Sequence, residues 1–143
     1  MKKIVLAASL LVAAATAAYA DPIADRQALM KSFGPIMGSL APVAKGEKPF
    51  DAAEVLAALT KLNEQAQKFD VPTLFPEGSN TGDTKASPKI WEDLADFQAK
   101  DDKFKADVAA AVSAPPADLA TFQTQFAAIG GNCGACHQAY RLR

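Results

Sequence analysis

The chain has 143 residues, of which 50% are hydrophobic and 22% charged, and its formal net charge is −1. That length suits one folded domain behind a short leader. A near-even charge with no basic stripe argues against nucleic acid as a partner, and two cysteines are too few for a disulfide framework.

Residues 1–20 have the layout of a secretory signal. Lys2 and Lys3 form a basic start, residues 4–18 are apolar, and Ala18-Tyr19-Ala20 is a small-x-small cleavage site. The apolar stretch falls short of the ~20 residues a membrane span needs, so removal is expected, with the mature chain beginning at Asp21. The 15 basic side chains less Lys2 and Lys3 leave 13 against 16 acidic, a net charge of −3 for residues 21–143. No later segment is long and apolar enough to cross a bilayer, so the expected product is one exported domain over 21–143.

Four helical patterns follow. The first covers 23–44, with an inward stripe of Ile23, Arg26, Met30, Phe33, Met37, Leu40 and Ala44 in steps of three and four. Gly34-Pro35 predicts a bend there rather than a stop. The second opens at Asp51-Ala52-Ala53-Glu54, a capping-box pattern, and carries Val55, Leu59, Leu62, Ala66 and Phe69. Residues 70–87 then read as a long loop with apolar anchors at Val71, Leu74 and Phe75. A loop of this length in a compact domain usually has a task, and covering the edge of a cofactor is one.

The third helix is predicted to start at Ser87-Pro88 and run to Ser113, with Ile90, Leu94, Phe97, Phe104 and Val108 inward and Asp101 breaking the series. The fourth carries Leu119, Phe122, Phe126, Ile129, Cys133, Cys136 and Tyr140 in an unbroken three-four rhythm. Gly130-Gly131 lowers helix propensity before the cysteines, which suggests close approach of backbone to a bound group or a packing need. One apolar seam per helix predicts an all-α, antiparallel four-helix bundle.

The most informative string is Cys133-Gly134-Ala135-Cys136-His137, which holds both cysteines and the only histidine. C-x-x-C-H is the attachment pattern of c-type haem: two thiols bond the porphyrin edge and the adjacent imidazole takes the iron. On a helix Cys133 and His137 are about one turn apart, so one short stretch can do both. The alternative is a redox dithiol, but such motifs sit at a helix N-terminus in a βαβ setting. Here the pattern lies late in a helix, in a chain without strand signals.

The chain resembles the class II cytochromes c, that is, cytochrome c′ and its low-spin relatives. The resemblance rests on Arg26-Gln27, Val43-Ala44-Lys45-Gly46, Pro49-Phe50-Asp51-Ala52, Leu74-Phe75-Pro76, Pro88-Lys89-Ile90-Trp91, Phe97 and the terminal Cys133-x-x-Cys136-His137-x-x-Tyr140-Arg141, in that order. It implies a four-helix bundle with one haem c, often paired as a homodimer through the first two helices. It also implies His137 as proximal ligand, a distal side at Met30, and a salt bridge from Arg26 to a haem propionate, with Gln27 near the haem edge. In cytochrome c′ the distal residue does not bind, whereas in the low-spin relatives a methionine there ligates the iron.

After signal removal only Met30 and Met37 are thioether candidates; two turns, ~10 Å, separate them, so at most one reaches the iron. Met37 reads as core filler. Arg141, four residues after His137, lies over the proximal face or is a solvated helix-end cation. Trp91 and the phenylalanines read as packing. With the only histidine committed to iron, no hydrolytic site remains, and without a distal histidine a peroxidase-like enzyme is disfavoured. The expected function is therefore non-enzymatic electron transfer in the periplasm with periplasmic redox partner proteins. The alternative is a five-coordinate protein binding nitric oxide or carbon monoxide, and the two differ in whether Met30 binds iron.

Overall fold

The computed structural model describes residues 21–143; the expected export signal lies outside the described residues. Four long helices make the domain: α1 (Pro22–Ala44), α2 (Ala52–Ala66), α5 (Leu94–Ser113) and α6 (Leu119–Tyr140). Two single turns, α3 (Val71–Leu74) and α4 (Lys89–Glu92), lie between α2 and α5. α1 packs on α2 and α6, α2 on α5, and α5 on α6, which closes the ring of an antiparallel four-helix bundle. Among the described residues no helix is long and apolar enough to cross a membrane.

Aspartate starts most of these helices. The side chains of Asp21, Asp51, Asp70, Asp93 and Asp118 accept from backbone N–H groups of the first turns of α1, α2, α3, α5 and α6. Each satisfies donors that the helix itself leaves unpaired. α1 begins with Pro22 and runs unbroken through Pro35 and Pro42. It ends at Lys45, and Gly46 follows at φ +75°, the left-handed conformation that suits glycine after a helix.

The predicted third helix is two helices. At Asp93 the backbone leaves the helical region (φ −141°, ψ 69°), and its carboxylate accepts from the Asp96 N–H at 3.0 Å. A short acidic side chain that caps the next segment competes with continuing the helix. Leu94, predicted inward, is 43% exposed as a result. Part of the predicted loop is also helical, since Asp70 caps the turn α3.

The core has two parts. One cluster joins Leu40, Val55, Leu59, Leu62, Val108, Ala111, Phe122 and Ile129. The other joins Leu29, Phe69, Val71, Leu74, Phe75, Ile90, Phe97 and Tyr140. Phe33 packs against both. The second cluster is largely aromatic: Phe75 lies edge-on to Phe97 at 4.8 Å, and Phe97 to Tyr140 at 5.1 Å. Leu29, absent from the predicted stripe of α1, is buried in it.

The first cluster is complete without any bound group. Phe122 is fully buried there, beside Phe50 and Phe126. Phe122→Ala is expected to lower the unfolding free energy of the haem-loaded protein by about 3–5 kcal/mol. Denaturant titration checks this, and an unchanged midpoint contradicts it.

Candidate haem-binding site

The last three turns of α6 carry Cys133, Cys136, His137 and Tyr140 along one side, and all four line a cavity of about 660 Å³. α1 contributes Arg26, Gln27, Met30, Phe33 and Met37; α5 contributes Phe97, Lys100, Asp101 and Phe104. Thr84, Lys85 and Ala86 of the long loop complete the wall. The volume is that of a cofactor site, and the walls are largely apolar, as such sites are.

Both cysteines are free and half-buried. Burial pushes both thiols up, Cys136 to about 11, with Lys100 opposing only in part. A redox dithiol needs a lowered thiol at a helix start; this pair has the reverse on both counts. His137 is exposed and lines the cavity, and desolvation, followed by the charge of Arg141, lowers its pKa. Both effects favour the neutral imidazole, the form that ligates metal.

The site's supports come largely from the 70–87 loop. Arg26 is buried, and its guanidinium makes four hydrogen bonds to that loop. Nη1 donates to the Leu74 carbonyl (3.2 Å) and Ser79 Oγ (3.1 Å), and Nη2 donates to the Ser79 carbonyl and Thr84 Oγ1 (both 2.7 Å). The group also lies over the rings of Phe75 and Trp91, at 5.1 and 5.9 Å. Gln27 Nε2 donates to the Asp83 carbonyl at 2.7 Å. Trp91 Nε1 donates to the carbonyls of Phe75 and Pro76. It therefore braces the loop and does not line the cavity.

The far end of the loop is tied to α6. Ala86 pairs with Arg141 in an antiparallel bridge, Ser87 N–H donates to the Tyr140 carbonyl, and Leu142 N–H donates to the Lys85 carbonyl. Tyr140 Oη donates to Asp96 at 2.6 Å. No sequence signal marks Ser79 and Thr84 as partners of Arg26. A buried arginine on an apolar stripe was the visible half of that arrangement.

The two methionines differ. Met30 is 38% exposed and borders the cavity, whereas Met37 is half-buried and packs against the first core cluster. Met30 therefore does not pack into the core as the inward stripe predicts. Arg141 is exposed at the end of α6 and reaches the cavity wall. Gly130 and Gly131 do not border the cavity, and a Cβ on either meets nothing within 4 Å.

A four-helix bundle whose last helix presents two thiols and an imidazole to an apolar cavity is the build of a c-type haem protein. The family model described as cytochrome C' matches residues 21–141. The chain is 45% identical over 124 residues to cytochrome c-556 of Agrobacterium fabrum, covering 87% of this chain and 83% of the relative. It is 40% identical over 129 residues to cytochrome c' of Rhodopseudomonas palustris, covering 88% and 85%. Among solved structures, a cytochrome c' from Rhodopseudomonas palustris superposes with a TM-score of 0.78 at 38% identity, covering 87% of this chain and 98% of that one. A mutant of cytochrome c prime from Alcaligenes xylosoxidans, solved as a nitric oxide complex, superposes with a TM-score of 0.75 at 31% identity, covering 85% and 94%. The chain belongs to the cytochrome c′ family.

The family's cofactor is covalently attached haem c, and the residues present fit it. Two free thiols and an imidazole share one wall. Among the described residues Arg26 has no carboxylate within ion-pair distance. A buried cation without a counter-ion suits an anionic ligand edge.

Arg26→Met would remove a donor from four acceptors in the loop, of which only Thr84 Oγ1 keeps another, the Ala86 N–H. A loss of about 2–4 kcal/mol is expected, with faster amide hydrogen exchange over residues 79–87. Arg26→Lys should recover only part of both, because an ammonium cannot span the four acceptors as a planar fork does.

Proposed function

We propose that this chain is an exported electron-transfer haem protein in which His137 is the proximal iron ligand and Met30 the distal one. The observation that carries the distal assignment is the contrast between the methionines. Met30 and Met37 of α1 both border the cavity that holds His137 of α6, but Met37 is also packed against the first cluster, whereas Met30 is not packed into the core. Cys133 and Cys136 hold the porphyrin through thioether bonds. Arg26 faces a propionate, with Gln27 beside it.

Haem c, when bound, supplies a one-electron iron couple. The chain's residues set how that couple behaves. An imidazole from α6 and a soft thioether from α1 would keep the iron low-spin and raise its potential. The ring of apolar side chains, Phe33, Phe69, Phe75, Phe97 and Phe104 among them, keeps water from the ligands. Residues 1–20 act as the export signal and 21–143 as the functional domain, in the periplasm. There a redox partner protein exchanges electrons at the cavity mouth. Pairing of two copies through α1 and α2 is the expected assembly.

The second reading is a protein that binds nitric oxide or carbon monoxide with Met30 as a distal wall. It is favoured by the 38% exposure of Met30 and by the solved relative that is a nitric oxide complex.

Absorption spectra of the haem-loaded protein decide between the two. With Met30 bound, the ferric form is low-spin and shows the weak near-infrared band of sulfur–iron charge transfer. Met30→Ala should turn it high-spin and tighten carbon monoxide binding roughly tenfold or more, each factor of ten being about 1.4 kcal/mol of thioether bond no longer displaced. Met37→Ala should leave the spectrum unchanged. A high-spin wild type that takes carbon monoxide rapidly removes Met30 from the ligand set.

A further inference from the structure

Asp101 is a carboxylate on an apolar helix face, and it is only 5% exposed. Its Oδ2 accepts from Lys105 Nζ at 2.7 Å, and the same ammonium donates to the Phe69 carbonyl at 2.5 Å. Its Oδ1 has no hydrogen-bond partner. The residue borders the cavity beside Cys133 and Cys136. A salt bridge whose task was to tie α5 to the end of α2 would account for Oδ2 and Lys105. It does not account for a second, unpartnered oxygen on the wall of the cofactor site, since leaving a buried acceptor unpaired is costly.

We propose that Asp101 is a redox-linked proton site. When the iron is reduced by an electron from the partner protein, the Asp101 carboxylate takes up one proton from water and becomes the neutral acid. On oxidation it returns the proton as the electron leaves. Between the pKa values of the two states, the proton taken up offsets part of the charge that the electron brings. The proposal rests on the electron-transfer reading.

The physical reason is charge balance in a region of low dielectric. Reduction removes one positive charge from the cavity, and an ionised carboxylate on its wall loses that attraction. Across about 10 Å at an effective dielectric of about 20, a unit change of charge alters proton affinity by roughly tenfold. The charge of Asp101 already acts on the attachment site, because it helps to raise the Cys136 thiol. Lys105, whose side chain is 22% exposed, brings the pair to solvent, where the proton is exchanged.

Other charges act on Asp101 too. On its own helix these are Lys105, which favours the ionised form, and Asp102, which opposes it. Asp70, ahead of α3, also opposes it. Lys100 of α5, Arg26 and Lys31 of α1, Lys85 of the loop, and His137, Tyr140 and Arg141 at the end of α6 border the same cavity. The buried seam of α2 is apolar, made of Val55, Leu59, Leu62 and Ala66. The balance raises the carboxyl above its ordinary value, with desolvation the largest cause. The proton step therefore falls above the usual carboxylate range, and the ferrous form holds the proton to higher pH than the ferric form does.

The test is the reduction potential of the haem-loaded full chain, measured spectroelectrochemically from about pH 4 to pH 9, a range that brackets ordinary carboxyl and imidazole groups. In the wild type the potential should fall with rising pH across one window, at roughly half a proton per electron for a tenfold change in proton affinity. Asp101→Asn should abolish that window and raise the potential on its alkaline side. Lys105→Gln, which leaves the carboxylate without its cation, should move the window to higher pH. The reduced-minus-oxidised infrared spectrum should show a protonated-carboxyl band that follows the same window and is lost in Asp101→Asn. If that variant fails to fold, the Lys105→Gln shift and the infrared band decide. A window that survives in Asp101→Asn, or that Lys105→Gln leaves in place, overturns the proton site and leaves electron transfer standing. Iron that does not cycle reversibly overturns both.

Discussion

Arg26 fixes the geometry on which the cavity depends. Protein interiors close over their own voids unless something holds the walls apart, and here the wall opposite α6 includes a loop with little regular structure of its own. A planar guanidinium with four hydrogen bonds to residues 74, 79 and 84 sets the position of that loop relative to α1. The pairings of Ala86, Ser87 and Leu142 set it relative to α6. The loop thus spans the two helices that carry the proposed iron ligands, and each end is tied to one of them. Met30 lies one turn after Arg26 on α1, so the residue that anchors the loop also fixes the register of the distal side.

The division of the core follows from the same arrangement. At one end of the bundle four apolar seams meet and fill the interior with protein alone. At the other end α6 turns its seam over to Cys133 and Cys136, and α1 turns its own over to Arg26 and Met30. The second cluster then borders the cavity, with Phe69, Phe75, Phe97 and Tyr140 on its wall. Removal of the haem should loosen this end first, while the end built around Leu59, Leu62 and Phe122 keeps its own packing.

The helices were legible in the sequence because their seams repeat every three and four residues and because aspartates mark their starts. The stripe of α2 is buried throughout, and C-x-x-C-H specified the chemistry without any geometry. Periodicity was blind where a polar side chain overrode it. Asp93 caps a new helix and so breaks the third pattern, which turns Leu94 outward. Leu29 lies off the counted stripe and is nevertheless core, because the short turn α3 covers that side of α1. Asp101 registered only as an interruption of an apolar series. Its pairing with Lys105 is local and readable at i, i+4, but its unpartnered oxygen and its place on the cavity wall are properties of the assembled fold. The same holds for Arg26, where the sequence pointed to one anionic partner and the structure adds four neutral ones.

The two buried charges of the site are each half-satisfied by the protein. Arg26 has hydrogen-bond acceptors but no counter-ion among the described residues, and Asp101 has a counter-ion but one oxygen without a donor. Uncompensated burial of either is unfavourable, and a fold with no use for them would replace both by apolar side chains at little loss. In the proposed site a haem propionate facing Arg26 would supply the missing negative charge. A proton on Asp101 would remove the need for a donor to Oδ1 whenever the iron is in its less charged state. The fixed cation and the adjustable anion would then act at different points of the redox cycle, the first on binding and the second on each electron transferred.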